Sequence, residues 1–313
     1  MIKKLVPVAL LSVLAFASCR KTARVTVDPP PVDSTTYYTY SMSSIYTSLK
    51  NQPKTVTFDP SVGGQVVGNS GTVYTFPANA FQPASGGSVS GTITLMLTEY
   101  LDKGDMIFSR VMPYTDGRAL ISAGELLVEA KQGGVKLFLK SGVTFTAAIP
   151  QKGMVSTGMS FYYGETVNAT INPINWLTGT GGAGTASTFG DTVTLVSDSV
   201  GYISGGKEFT SPSYQAVTLT VNGVTFDDSD HVQAYAVYDN YRSVFPMTGR
   251  YHQKFTEDSV LNKPLHFVVY TVYHGDFYGG ISTSSVTPLT GGSYSVTVTK
   301  QNPITFLHTV NGL

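Results

Sequence analysis

The sequence predicts an all-β protein: two β-sandwich domains in tandem, behind a signal peptide and a flexible tether. Three observations predict it. Along residues 91–100, Ile93, Leu95 and Leu97 fall on one side and Thr92, Thr94, Met96 and Thr98 on the other, the period of two of a half-buried strand. Glycine-rich turn signals (Gly63-Gly64, Asn69-Ser70-Gly71, Asp116-Gly117, Gly133-Gly134) cut the chain into short runs at close spacing, as in a sandwich or barrel. Charged residues make up 13%, about half the usual share of roughly 25%. β-branched and aromatic strand formers and turn glycines fill the difference.

The chain opens with Lys3 and Lys4 and then an uncharged apolar run over residues 5–17. Crossing a bilayer takes about 20 apolar residues, so this run reads as the core of a secretory signal. Ala17 and Ser18 precede Cys19, the single cysteine of the 313 residues. This triplet resembles the lipobox of bacterial lipoproteins, with Phe16 where leucine is usual. The resemblance implies that residues 1–18 are removed and that Cys19 carries the acyl chains. One cysteine allows neither an intrachain disulfide nor a cysteine zinc site. With the leader gone, 18 Lys and Arg face 20 Asp and Glu, a formal charge of −2. Such a chain has no electrostatic basis for holding nucleic acid.

Residues 19–53 read as the lipidated terminus and tether. Asp28-Pro29-Pro30-Pro31 favours polyproline II, and a chain of this length reaches on the order of 30 Å. The run Tyr37-Tyr38-Thr39-Tyr40 and the pair Ile45-Tyr46 are open to a second reading, a strand or short helix packed on the first domain.

The first domain is expected over residues 54–150, with strands near 55–58, 65–67, 72–76, 88–100, 120–130, 135–139 and 142–149. Met106, Ile107 and Phe108 after Asp105 suit one helical turn between sheets. The run from Thr72 through Phe76-Pro77 to Phe81, the strand at 91–99 and the segments at 103–107 and 120–130 resemble a β-sandwich domain of gram-negative envelope lipoproteins. That domain is distantly similar to the one shared by zonula-occludens, netrin-receptor and ankyrin proteins. Some of its relatives cleave themselves at His-Phe-Ser. Here His266-Phe267 is followed by Val268, so self-cleavage is not expected.

Residues 151–207 read as connecting strands with a glycine-rich loop at 178–184, and residues 208–313 as a second β-sandwich. Its strands are expected near 216–221, 231–238, 243–247, 265–273, 294–299 and 304–310, with a hairpin at Asp239-Asn240.

The search for chemistry is mostly negative. Asp227, Asp228, Asp230 and His231 form an acidic turn without calcium-loop spacing, so no metal and no cofactor are assigned. Glu125 and Glu129 share one strand face and read as its solvated side, with Leu126, Val128 and Ala130 buried. No nucleophile elbow, phosphate-binding loop or zinc-protease motif occurs, and no catalytic residue is assigned. Tyr238, Tyr241, Tyr273, Phe277 and Tyr278 gather near two expected hairpin ends and form the candidate binding surface. The expectation is therefore a protein without enzymatic activity that binds or scaffolds in the cell envelope. It would be held to the outer membrane by its N-terminal lipid, with the periplasmic face favoured over the cell surface. An envelope protein or glycan would be its partner. A glycan-active enzyme or its accessory subunit, and a structural subunit pairing through a sheet edge, are the alternatives.

Overall fold

The computed structural model describes residues 39–154, 157–167, 173–178, 184–210, 212–227 and 231–313, which belong to one compact unit. Cys19 and most of the expected tether lie outside the described residues. Strands take 53% and helices 9% of the described residues, the balance of an all-β protein.

The first described element is a helix, α1 (Met42–Leu49). Ser41 caps it: its hydroxyl accepts from Ser44 N at 3.0 Å, and the Ser44 hydroxyl accepts from Ser41 N at 2.8 Å. Ile45 and Leu49, one turn apart, are buried. Of the two readings open for this stretch, the short packed helix is the one found, so the tether does not extend through residues 42–49. Their Ser/Thr/Tyr composition hid a capped helix with one apolar stripe.

Strands then follow: β1 (Lys54–Phe58), β2 (Gly64–Val67), β3 (Val73–Phe76), β4 (Phe81–Pro83) and β5 (Ile93–Tyr100). Helix α2 (Lys103–Ser109) occupies the position where a helical turn was expected, and Arg110 in the left-handed region ends it. β6 (Tyr114–Thr115), β7 (Arg118–Gln132), β8 (Val135–Leu139), β9 (Phe145–Pro150), β10 (Ser160–Thr166), β11 (Ile174–Thr178), β12 (Gly184–Phe189), β13 (Thr192–Ser197) and β14 (Gly201–Glu208) complete the first half. They form two sheets, one in the order β1-β5-β7-β14-β10-β11 with β4, β6 and β8 attached, the other β12-β13-β9-β3-β2. The stretch 151–207, read from sequence as connecting strands, supplies five strands to these sheets, the last ending at Glu208. β14 lies against β7, and β13 against β9. The sheets meet through aromatic side chains: Phe76 of β3 sits 5.7 Å from Phe58 of β1 and 5.4 Å from Phe81 of β4.

One close approach pins the β2–β3 turn. The buried Glu99 carboxylate accepts from Ser70 N at 2.6 Å and Thr72 N at 2.9 Å. A Cβ on Gly68 would stand 2.3 Å from that carboxylate, so any larger residue there would push it out of these bonds.

The second half contains β15 (Tyr214–Asn222), β16 (Gln233–Tyr238), β17 (Val244–Met247), β18 (Arg250–Tyr251), β19 (Lys254–Leu261), β20 (Leu265–Tyr273), β21 (Asp276–Ile281), β22 (Gly292–Thr297) and β23 (Thr299–Lys300). They form two sheets, β18-β19-β15-β22 and β17-β16-β20-β21-β23. The hairpin expected at Asp239-Asn240 joins β16 to β17, and β20, apolar on both faces, is central. Phe267 of β20 meets Tyr294 of β22 at 5.2 Å across the two sheets. Residues 304–310, expected as a closing strand, instead lie in helix α3 (Pro303–Asn311). The Asn302 carboxamide oxygen accepts from Ile304 N at 2.9 Å and Thr305 N at 3.2 Å, and Pro303 starts the helix with φ already set.

Buried residues form two clusters. The larger runs from Phe58 to Val298 and fills both sandwich-like halves. The smaller gathers the three helices with the second face of β7 and its neighbours (Tyr100, Leu120, Trp176) and the second face of β16 and β20 (Tyr235, Tyr270). The helices therefore plug the space where the halves meet. No helix among the described residues is long and apolar enough to cross a membrane.

Candidate functional site

The five aromatic residues of the expected binding surface do not form one platform. Tyr238 and Phe277 are buried, in different clusters. The Tyr238 hydroxyl accepts from Leu261 N at 3.0 Å and its ring packs on Phe209 at 5.5 Å. Phe277 packs on Phe306 of α3 at 5.5 Å. Tyr241, half-buried, stands edge-on to Phe209 at 5.1 Å. Tyr273 and Tyr278, also half-buried, are edge-on to each other at 6.2 Å. Position near a hairpin end did not expose Tyr238 and Phe277, because their side chains lie on inward faces of β16 and β21. In the acidic turn, Asp228, Ser229 and Asp230 lie outside the described residues, and no metal-binding cluster occurs among the described ones.

Charge is concentrated where the halves meet. The alternation along β7 follows the sequence reading on one side, with Leu126, Val128 and Ala130 buried. The other side departs from it. Glu129 is partly exposed and pairs with Lys131 at 3.3 Å, but Glu125 is fully buried. Arg242, which reaches in from the β16–β17 turn, lies near enough to Glu125 to favour its charge. The Arg242 Nη1 donates to Ala123 O and, at 3.3 Å, to Gln151 Oε1, while Arg242 O accepts from Ser122 N at 2.9 Å. The Ser122 and Ser204 hydroxyls lie near the Glu125 carboxylate, neither in good hydrogen-bond geometry, and among the described residues the Arg242 Nε lacks a partner. Burial raises the Glu125 pKa to about 7, against a smaller opposing pull from the Ser122 and Ser204 hydroxyls and the Arg242 charge.

Lys103, also buried, ties the same junction. Its Nζ donates to Tyr238 O at 2.6 Å, Asp239 O at 3.1 Å and Leu313 O at 3.0 Å. Burial lowers its pKa to about 8, partly offset by Asp239. The Asp239 carboxylate in turn accepts from Ser285 Oγ and meets His266 Nδ1 at 2.7 Å. These groups hold the halves together, and the deepest of them are closed to solvent.

The surface offers clefts of a different character. One, of about 650 Å³, lies where β15 ends and the β18–β19 hairpin folds beside it. Thr220, Asn222 and Thr225 line one wall, and Tyr251, Gln253 and Lys254 the other. Gly223, at φ +103°, turns the chain at its floor; a Cβ there would strike Val298 O at 2.2 Å. Tyr251 is 69% exposed, with its ring centroid 4.2 Å from that of His252 and nearly perpendicular to it. Nothing local in the sequence singles out Tyr251: its exposure follows from lying in a two-residue strand at a sheet margin.

A second cleft, of about 380 Å³, lies between α1, the end of α2 and the start of β16, where Arg110 stacks over Tyr46 at 4.7 Å. A third, of about 390 Å³, has two carboxylates, Asp116 and Glu208, beside Tyr162 and Trp176. Both carboxylates are exposed, and Glu208 faces Arg118 at 3.8 Å. A general acid for glycoside cleavage is held protonated by apolar surroundings, which this pair lacks. Compared with models of known protein families, with curated proteins and with solved structures, the chain matches none.

Proposed function

We propose that this is a lipid-anchored binding protein of the gram-negative cell envelope. Its body consists of two β-sandwich domains in tandem, joined through the helices and the Glu125–Arg242 junction, and it does not act as an enzyme. One observation carries the binding reading. The charged groups that are buried and perturbed, the pattern catalysis calls for, are walled into the junction. The roomiest of the three clefts presents instead an aromatic ring, amides and hydroxyls. The leader ending at Cys19, which resembles a lipobox, supports the anchor. The absence of Asp at position 20 is consistent with outer-membrane sorting.

Strand addition is a second reading with its own support. β12 is the outermost strand of its sheet among the described residues, has no charged side chain, and ends at Phe189, 91% exposed.

Phase partition tests the anchor. Wild-type protein is expected in the detergent phase of a cloud-point separation of envelope extract, and the Cys19→Ala protein in the aqueous phase. One acyl chain binds only marginally, so stable retention needs the multiply acylated cysteine. A Cys19→Ala protein that stays with the detergent phase contradicts the anchor.

A further inference from the structure

We infer that the cleft between the end of β15 and the β18–β19 hairpin binds a neutral, polyhydroxylated ligand, a segment of a glycan chain. The inference rests on the binding reading above and gives its ligand a chemical class. Three properties of the cleft lead to it.

The first is the ring of Tyr251. It is 69% exposed, yet His252 stands edge-on to it at 4.2 Å in a turn where His252 itself has φ +49°. A ring this exposed offers the kind of surface that the C–H face of a sugar covers.

The second is the polar lining. The side chains of Asn222, Thr225 and Lys254 carry no hydrogen bond or ion pair among the described residues. Gln253 uses its Nε2 on Phe226 O at 3.2 Å, which leaves its carbonyl oxygen as an acceptor. Amides and hydroxyls both donate and accept, as sugar hydroxyls do.

The third is charge. Among the described residues no carboxylate lines the cleft, and Lys254 is the one lysine that does. The lining therefore suits neither a metal ion nor a strongly anionic chain.

The same geometry disfavours an extended peptide. β15 is flanked on both sides, by β19 and β22, and the margin strand at the cleft, β18, is only two residues long, too short a ladder for an extended peptide backbone to join. Its volume of about 650 Å³ falls within the roughly 300–1,000 Å³ of small-ligand sites.

Affinity electrophoresis of the full-length, detergent-solubilised protein is the test. The gels contain a soluble neutral glucan, mannan, galactan or xylan, with polygalacturonate as the anionic comparison. Retardation by at least one neutral polysaccharide is expected. It should weaken about tenfold or more in Tyr251→Ala, an anchor truncation at an exposed site that leaves the fold intact. Tyr251→Phe should keep it, because the ring face makes the contact. No retardation in any of the four neutral gels, retardation by polygalacturonate alone, or equal retardation of Tyr251→Ala each overturns the inference. A photo-crosslinking side chain placed at Asn222 in intact cells separates the two levels. Capture of a protein there would preserve the binding reading and discard the glycan. Neither retardation nor capture would discard both.

Discussion

Glu125→Gln should stabilise the protein at pH 8 and leave it nearly unchanged at pH 4.5. Glu125 is fully buried, and the Ser122 and Ser204 hydroxyls near its carboxylate offset the burial only in part. Its pKa in the folded protein is about 7, above the ordinary value of 4.5. The folded state therefore holds this proton more tightly than the unfolded chain does. Below about pH 4.5 the group is protonated in both states and costs nothing extra. As pH rises through 4.5 toward 7 the unfolded chain ionises first, and stability falls. Above 7 both states are ionised and the penalty is complete, on the order of 3 kcal/mol. Glutamine has the same shape and cannot ionise. Urea unfolding of the two proteins at several pH values should thus show their stabilities diverging from pH 4.5 to 7.5 and running parallel above. Parallel curves throughout would mean that folding leaves the Glu125 pKa at its ordinary value, and would contradict the burial penalty.

Arg242→Met should cost about 3–5 kcal/mol, the usual penalty for leaving one member of a buried charged set without its partner. Arg242 is 2% exposed. Its guanidinium reaches Ala123 O and Gln151 Oε1 across the junction, and Asp102, Glu125 and Asp191 lie near enough to favour its charge. Methionine fills part of the volume but donates nothing to Ala123 O and Gln151. Arg242→Lys should rescue only in part, since one ammonium cannot place donors where the planar fork does. Thermal unfolding should register Arg242→Met as a drop of about 6 °C or more for a body of this size. A drop under 2 °C would show that the arginine does not hold the halves together.

Much of the fold was legible locally. The alternation at residues 91–100 is β5, and the parity of Leu126, Val128 and Ala130 along β7 is the buried side. The glycine turns and the Asp239-Asn240 hairpin also fall where the residues put them. Some misses had local signals that were outweighed. Ser41 with Ile45 and Leu49 spelled a capped helix inside a run that composition read as tether. Asn302-Pro303 spelled a helix start before a run that apolar content read as strand.

Other misses had no local signal. Glu125 looks solvated from its own strand because the residues that bury it, among them Ser204 of β14, come from elsewhere in the chain. Tyr238 and Phe277 sit near strand ends, but Phe209 and α3 close over them from elsewhere. Tyr251 becomes a candidate only once β15, β18 and β19 are placed side by side. The candidate site was therefore the least legible part: it is assembled from two segments about 30 residues apart, neither of which carries a motif.

The central claim is that charge is built into a weld between two sandwich-like halves and that the surface is left for binding. Differential scanning calorimetry of the wild-type protein at neutral pH tests it most directly. One cooperative transition, with calorimetric and van't Hoff enthalpies in agreement, is the expected result. Two resolved transitions, one for each half, would contradict it.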